Sequence, residues 1–215
     1  ENDNIVEKIS KTNKKMKKLT FISLMICCLA AIGLTSCNND VEYKGLTNEQ
    51  KAEAFNTVKG SYKGDLIYPA TNPSNKTDVT DTLQISWQMN SDSVMTIRNF
   101  PVELLASNIT NPELAKALRK QQPRDWKCYI NFTQVQPVTF FINPTLQSFS
   151  LNYNDKDHVV QIAMLGNDIY SFGMYNSSKK MMQMQIVEAA VYVNGILQRG
   201  MLKSAVPFIL SGTKQ

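Results

Sequence analysis

Residues 83–89 are Leu-Gln-Ile-Ser-Trp-Gln-Met, with an apolar side chain at every second position from Leu83 to Met89. Successive side chains of a β-strand point to opposite faces of a sheet, so this period of two is typical of a strand with one face in the core and the other in water. The polar residues 90–93 predict a turn, and Val94–Phe100 predicts a returning strand. The stretch therefore predicts an antiparallel sheet.

The same alternation fills most of the chain on either side. Further strands are predicted near 61–68, 126–135, 138–143, 146–153, 158–165, 168–175, 180–193, 196–203 and 205–213. The turns between them are polar, and Asn194-Gly195 is a strong two-residue hairpin pattern because both residues tolerate positive φ. The sequence thus predicts an all-β fold of ten to eleven antiparallel strands, and it leaves open whether they form a barrel or a sandwich.

Two segments break this period and predict helices. Thr47-Asn48-Glu49-Gln50 resembles a capping box followed by apolar residues at helical spacing, which predicts an N-terminal helix from about 48 to 58. Asn111-Pro112-Glu113 combines a cap, a first-turn proline and a first-turn acid, which predicts a short helix over 111–121. That helix belongs to an insertion between strands, which could form a lid over a barrel mouth or a crossover that covers a sheet edge.

The segment Met16–Cys37 decides which part of the chain folds. Lys17 and Lys18 form a basic head, and Leu19–Leu34 is an apolar run of sixteen residues that ends in small residues. A membrane-spanning helix needs about 20 residues, so we expect a signal peptide that is cleaved. Residues 1–15 contain no initiator methionine, and we expect translation to start at Met16.

The end of this segment, Leu34-Thr35-Ser36-Cys37, resembles the lipobox of bacterial lipoproteins, in which the cysteine thiol receives a diacylglyceryl group and the chain is cut just before it. The resemblance implies recognition by a signal peptidase through Leu34, Thr35 and Ser36, and a lipid anchor with palmitate-type chains on Cys37. The expected organisation is a cleaved segment 1–36, a lipidated flexible tether 37–46 and a single β-rich domain 47–215.

Charge and export argue against a nucleic-acid partner. Six of the 23 basic residues and three of the 18 acidic residues precede Cys37. The mature chain therefore has 17 basic and 15 acidic residues, and its net charge is about +2. One short segment is basic, and we interpret it as a solvated helix surface; it comprises Lys116, Arg119, Lys120, Arg124 and Lys127. The expected partners are the membrane, through the anchor at Cys37, and a small molecule, glycan or protein.

Side chains that could carry chemistry are few. Cys128 is the one thiol outside the exported leader and the lipobox, and it shares parity with Trp126 and Ile130, which predicts a buried core residue. His158 is the one histidine, and we expect it at the surface beside a turn. The neighbouring oxygen-bearing residues fail the EF-hand pattern, so a hairpin turn is preferred to a calcium loop; they are Asn152, Asn154, Asp155 and Asp157.

No pattern in the sequence predicts an active site. The nine glycines are scattered and form no phosphate-binding loop. Four carboxylates could be imagined in a glycosidase pair, but the sequence does not establish the required separation for any two of them; they are Asp65, Asp81, Glu103 and Glu188. We therefore expect neither a metal nor a cofactor.

Aromatic residues are more suggestive, because several fall in predicted strands. Trp87 and Trp126 could line a pocket for an apolar ligand inside a barrel. They could equally fill the core, and the size of the domain favours that alternative.

Three further stretches, combined with the lipobox, carry a family resemblance. Val58–Leu66, Thr96–Phe100 and Phe208–Lys214 look like the calycin-like and related uncharacterised lipoproteins of Bacteroides-type bacteria. The resemblance implies a lipid-anchored lipocalin- or calycin-like barrel in the cell envelope, at the outer membrane, with no assigned catalytic residue. Asp81-Thr82-Leu83 and Asp92-Ser93-Val94 also resemble O-glycosylation acceptors of such bacteria, which makes Thr82 and Ser93 candidate sites.

We therefore expect a non-enzymatic cell-envelope lipoprotein that binds an apolar or glycan-type ligand, or a protein partner, through its β domain. Two alternatives stay open: a structural or accessory subunit of an outer-membrane complex, and a hydrolase with an unrecognised carboxylate site. A cavity lined by Trp87 and Trp126 would favour ligand binding, whereas a large exposed apolar patch would favour the accessory role.

Overall fold

A computed structural model describes residues 45–70, 80–166 and 169–215 of the chain, which belong to one compact unit, residues 45–215. The lipobox Leu34–Cys37 lies outside the described residues, and so do residues 71–79, between the first two predicted strands. The helical elements are α1 (Asn48–Val58), a 3-10 helix (Val102–Ala106) and α2 (Pro112–Arg119). The strands are β1 (Gly60–Pro69), β2 (Thr80–Met89), β3 (Val94–Phe100), β4 (Arg124–Val135), β5 (Val138–Pro144), β6 (Gln147–Tyr153), β7 (Lys156–Leu165), β8 (Phe172–Asn176), β9 (Met181–Val193), β10 (Ile196–Leu197) and β11 (Val206–Lys214).

Eight of these strands close into an antiparallel barrel. The hydrogen-bonded order is β11-β1-β2-β3-β4-β5-β8-β9, and β9 pairs again with β11 from Met181↔Thr213 to Glu188↔Val206. The prediction of an all-β fold is confirmed, and the barrel is the correct choice of the two architectures that the sequence left open. A closed sheet has no edges along its circumference, so the backbone polar groups of the wall find partners within it.

Two long hairpin arms begin in the barrel wall, bend and continue the sheet beyond it. One arm is β5 followed by β6 and the other is β7 followed by β8, since Phe141 pairs with Phe172 while Gln147 pairs with Ile162. The second half of β9 leaves the barrel wall and pairs with β7. The barrel is therefore an up-and-down meander with an extension of order β6-β7-β9-β10, in which β6 and β10 are edges.

Helix α1 matches its prediction and is fixed to the barrel at its end. The Thr47 side chain accepts from the Gln50 amide, and the Gln50 side chain accepts from the Thr47 amide, which completes the capping box. Ala54 and Val58 are buried, and the helix contacts β4 and β5. The Tyr62 hydroxyl donates to the Val58 carbonyl at 2.6 Å, which joins the last turn of the helix to the first strand.

At the opposite end of β1, the insertion between β3 and β4 is held by the loop before β11. The Thr110 amide donates to the Met201 carbonyl at 2.8 Å, and the Lys203 amide donates to the Asn108 carbonyl at 3.0 Å. The prediction of a strand over 196–203 is wrong beyond Ile196–Leu197, because residues after them bond to this insertion instead of extending a hairpin. Helix α2 contacts the 3-10 helix and β6, which favours the crossover that covers an edge.

The barrel closes where two glycines face each other. Gly64 of β1 and Gly212 of β11 are paired, and a Cβ on Gly64 would lie 2.1 Å from the Ser211 carbonyl oxygen. A Cβ on Gly212 would lie 2.4 Å from the Lys63 carbonyl oxygen and 2.7 Å from the Trp87 ring. Because the obstructing atoms include backbone on both sides, a side chain here can be accommodated only if the two strands separate.

Gly64→Ala should lower the free energy of unfolding by about 3 kcal/mol, since overpacking against backbone cannot relax through a rotamer change. Gly45→Ala is the matched control, because a Cβ there meets nothing within 4 Å. Urea unfolding followed by circular dichroism measures both. Equal stability of the two variants would contradict the proposed tight approach of β1 and β11.

Candidate functional site

Large buried side chains contact one another in the interior of the barrel. Trp87 is 1% exposed, stacks on Tyr62 with ring centroids 5.6 Å apart, and donates its Nε1–H to the Met182 sulfur at 3.2 Å. Trp126 is equally buried and donates its Nε1–H to the Thr145 carbonyl at 2.8 Å. Neither tryptophan lines either of the two pockets described below. Their role as pocket-lining residues therefore stays a prediction.

Other residues singled out in the sequence are structural or lie at the surface. Cys128 is fully buried, and burial raises the pKa of its thiol, which confirms the core prediction and makes it a poor nucleophile. The turn predicted next to His158 is confirmed, with Asn154 and Asp155 at φ 53° and 57°. His158 itself is half-buried, and its ring stacks on Tyr153 at 4.2 Å.

The candidate glycosylation sites and carboxylates are dispersed. Ser93 is exposed in its turn, whereas Thr82 is half-buried on β2, and glycosylation of both stays a prediction. Asp65 accepts from the Gln84 amide group at 2.5 Å, and Glu188 is fully buried in β9. Among the described residues, no three His, Cys, Asp or Glu side chains gather where they could hold a metal ion.

A cleft lies between helix α2 and edge strand β6, and we refer to it as the α2–β6 cleft. Its volume is about 190 Å³, and its walls are one flank of the helix and the last residues of the strand: Glu113, Lys116, Ala117, Lys120, Gln121, Ser150, Leu151, Asn152 and Tyr153. The helix stands there because its other side is apolar. Leu114 and Leu118 are buried in the core, and the Asn111 side chain caps the first turn.

Strand β6 presents unpaired backbone to this cleft. Tyr153 and Lys156 flank the two-residue turn and form a hydrogen-bonded pair. In an antiparallel ladder, hydrogen-bonded and non-hydrogen-bonded pairs alternate along the strand from this pair. Ser148, Ser150 and Asn152 are then the non-bonded positions, whose N–H and C=O point away from β7. The Ser148 carbonyl does accept from Arg124, at 3.0 Å.

The partner strand shows the same alternation. Val159, opposite Ser150, directs its backbone away from β6, since its amide donates to the Asn194 side chain at 2.9 Å and its carbonyl accepts from the Asn194 amide at 2.8 Å. The backbone groups of Ser150 and Asn152 have no hydrogen-bond partner in the described part of the chain.

The helix flank of the α2–β6 cleft is cationic. Lys116 and Lys120 are four residues apart on α2 and its C-cap, both are exposed, and neither forms an ion pair within residues 45–70, 80–166 and 169–215. Glu113 lies at the beginning of the same flank. The cleft therefore combines unpaired amide donors, unpaired carbonyl acceptors and two cations.

A second pocket of about 360 Å³ lies on the barrel wall where the two hairpin arms bend. It is lined by Tyr129, Asn143, Pro144, Thr145, Leu146, Ala163 and Met164. Tyr129 and Leu146 are about half exposed, so this pocket opens to the surface, and its lining is part polar and part apolar. None of these seven described residues is charged.

Glu188 is the unusual group of the interior. It lies where β9 leaves the barrel, paired with Val206 on one side and Met164 on the other. Its side chain is 0% exposed, and neither carboxylate oxygen has a hydrogen-bond partner among the described residues. Burial without compensation raises the pKa of Glu188 to about 8, so the group holds a proton near neutral pH.

Most of the chain matches the model of one protein family. Residues 57–193, which are 137 of the 215, match a family described as a domain of unknown function, DUF4840. The chain belongs to the DUF4840 family. No curated protein and no solved structure matches it. The expectation of an uncharacterised family is confirmed, whereas the bacterial source and the lipid attachment stay predictions.

The DUF4840 match covers the α2–β6 cleft and Glu188 but ends before β10 and β11. The sequence identified Lys116 and Lys120 only as part of a solvated helix surface, and it placed Glu188 among unpaired acids. The burial of Glu188 had a visible indication, since it is one acid within an otherwise apolar run, Ile186–Val191. No sequence pattern indicated that β6 has an open edge, because only the order of the strands in the sheet determines which strand is an edge.

Stability of the DUF4840 domain should fall as pH rises from about 5 to 8. The folded pKa of Glu188 is raised, so its contribution is fully present below the unfolded pKa and is lost as pH rises through the folded value. The expected slope attributable to this group is on the order of 1 kcal/mol per pH unit. Glu188→Gln, which stays neutral, should remove it, as measured by urea unfolding between pH 5 and 9. Identical pH profiles for both proteins would show that Glu188 ionises normally.

Proposed function

We propose that this DUF4840 chain is a non-enzymatic lipoprotein of the cell envelope, anchored to the outer membrane through Cys37, that binds its ligand or partner on the outside of its barrel. The anchor rests on the sequence Leu34–Cys37 and on the basic and apolar segments before it. None of the helices in the described part of the chain has the length and apolar character of a membrane-spanning segment.

The filled interior is the observation that supports external binding. The inward positions of the wall are occupied by large side chains that contact one another, such as Trp87 on Tyr62 and Phe100 on Phe208, whose ring centroids are 5.3 Å apart. Close packing of this kind favours external binding, because a ligand inside the barrel would displace side chains from these contacts. A surface site, by contrast, can be occupied without disturbing the barrel, and the α2–β6 cleft offers the polar groups for it.

Cys37→Ala should release the protein from membranes. Acyl chains contribute about 0.8 kcal/mol per buried methylene, so several together make attachment effectively permanent, and the variant has no thiol to receive them. Detergent phase partitioning and fractionation of host cells measure this, with Cys128→Ala as the matched control. A Cys37→Ala protein that is cleaved and still partitions wholly into detergent would exclude this anchor.

The accessory-subunit role is the second candidate, and one surface favours it. Ile196 and Leu197 form edge strand β10 and are 67% and 45% exposed, and Val159 is exposed on β7, on the other side of β9. Exposed apolar surface beside an unpaired sheet edge is typical of contact with another chain.

If β10 joins a larger envelope complex, the double variant Ile196→Ser, Leu197→Ser should run as a smaller species on native gels of detergent-solubilised membranes. Leu146→Ser, at an exposed apolar position on the barrel wall, is the control. Unchanged migration of the double variant would remove the support for this candidate.

A further inference from the structure

We propose that the α2–β6 cleft binds an extended acidic peptide segment of a partner protein, which adds to the sheet as a strand beside β6. This inference rests on the proposed function, since it specifies the partner class of the external site. It commits to a peptide because both backbone donors and acceptors are available along the edge.

The edge offers the pairing groups of a short strand. Ser150 and Asn152 each direct one N–H and one C=O away from β7, about 7 Å apart along the strand. A free anion could use only the two donors and would leave both carbonyls unpaired. A peptide backbone in register satisfies all four groups, which is the usual mode of strand addition to an exposed edge.

The open stretch has defined ends. Toward the barrel, the Arg124 guanidinium already occupies the Ser148 carbonyl and lies over the Phe149 ring at 4.3 Å. Toward the tip, the turn at Asn154 and Asp155 ends the strand. The edge therefore accepts a short segment, whose remaining residues continue beyond the cleft.

The helix flank selects the charge of that segment. Lys116 and Lys120 are separated by four residues, or about 6 Å along the helix axis. Side chains on one face of an extended peptide repeat every two residues, or about 7 Å. Because the cleft is lined by positions 113–121 of the helix and 150–153 of the strand, the two elements run side by side. Carboxylates at alternate positions of an added strand thus match the two lysines, whereas lysines there would be repelled.

Binding can be measured with the full-length protein in detergent and short capped peptides. The probe is acetyl-Thr-Glu-Thr-Glu-Thr-Glu-Thr-amide, and the comparison peptides replace every Glu with Gln or with Lys. Fluorescence anisotropy at low salt should show binding of the Glu peptide at least tenfold tighter than that of the Gln peptide, and none of the Lys peptide. Equal binding of all three peptides, or of none, overturns the proposal.

A charge-reversal variant tests the helix flank. Lys116→Glu combined with Lys120→Glu should weaken binding of the Glu peptide at least tenfold and create binding of the Lys peptide. Lys63→Glu, at an exposed position on β1, should change neither affinity by more than about twofold. The same loss in Lys63→Glu would indicate only a general charge effect and would refute a site at the cleft.

Two measurements test the backbone pairing. A Glu peptide that is N-methylated at every backbone amide keeps its charge but has no N–H to donate. The native protein should therefore bind it at least tenfold more weakly than the unmodified peptide. Undiminished binding would show that the cleft recognises only the negative charge and would overturn the proposal. Ser150→Pro removes the N–H that faces the cleft while the bonds from β6 to β7 remain, and it should weaken the unmodified peptide similarly.

Sedimentation analysis identifies the competing occupant. If the edge pairs with a second copy of this chain, the protein forms dimers that Ser150→Pro dissociates and the Glu peptide does not bind, which overturns the proposal. Failure of the peptide experiments leaves membrane release of Cys37→Ala unaffected, so the two hypotheses fail separately.

Discussion

The close approach of β1 and β11 at Gly64 and Gly212 is the constraint on which the remaining architecture depends. Here the last strand meets the first, and each glycine would place a Cβ within 2.4 Å of a carbonyl oxygen of the opposite strand. Long-range pairing of this kind costs chain entropy that local contacts do not recover, so the meander gains its closed hydrogen-bond network only when this last contact forms. The Trp87 ring fills the space that the missing side chain of Gly212 leaves.

Closure also explains why the exposed edges lie where they do. The barrel wall has partners on both sides of every strand, but β9 is longer than the wall requires, and its second half continues with β7 into an extension. That extension must end somewhere, and it ends at β6 and β10. Helix α2 packs against β6 but leaves the edge groups of Ser150 and Asn152 open in the α2–β6 cleft, whereas β10 offers an edge of only two residues.

The sequence predicted the elements better than their assembly. Alternation at Leu83–Met89, the capping box at Thr47 and the Asn194-Gly195 turn are local patterns, and each gave the correct element because its physical cause lies within a few residues. The strand over 196–203 was wrong because its residues bond to the insertion near Asn108, about ninety positions earlier in the chain. The cleft was not predictable, since strand order brings residues near 116 and 150 together. Glu188 was visible as an acid, but its lack of a partner was not.

The two buried tryptophans lie in different parts of the fold, so their fluorescence can report on each part separately. Trp87 is held between Tyr62 and the Met182 sulfur beside the glycine pair, while Trp126 is bonded to Thr145 where β4 meets the bend of the first hairpin arm. Each indole thus senses a different region, since the Trp87 N–H donates to a thioether sulfur and the Trp126 N–H donates to a backbone carbonyl. With one tryptophan replaced by phenylalanine, the emission of the other becomes an intrinsic optical reporter. Such a reporter can distinguish opening of the barrel where its first and last strands meet from loosening at the base of the extension.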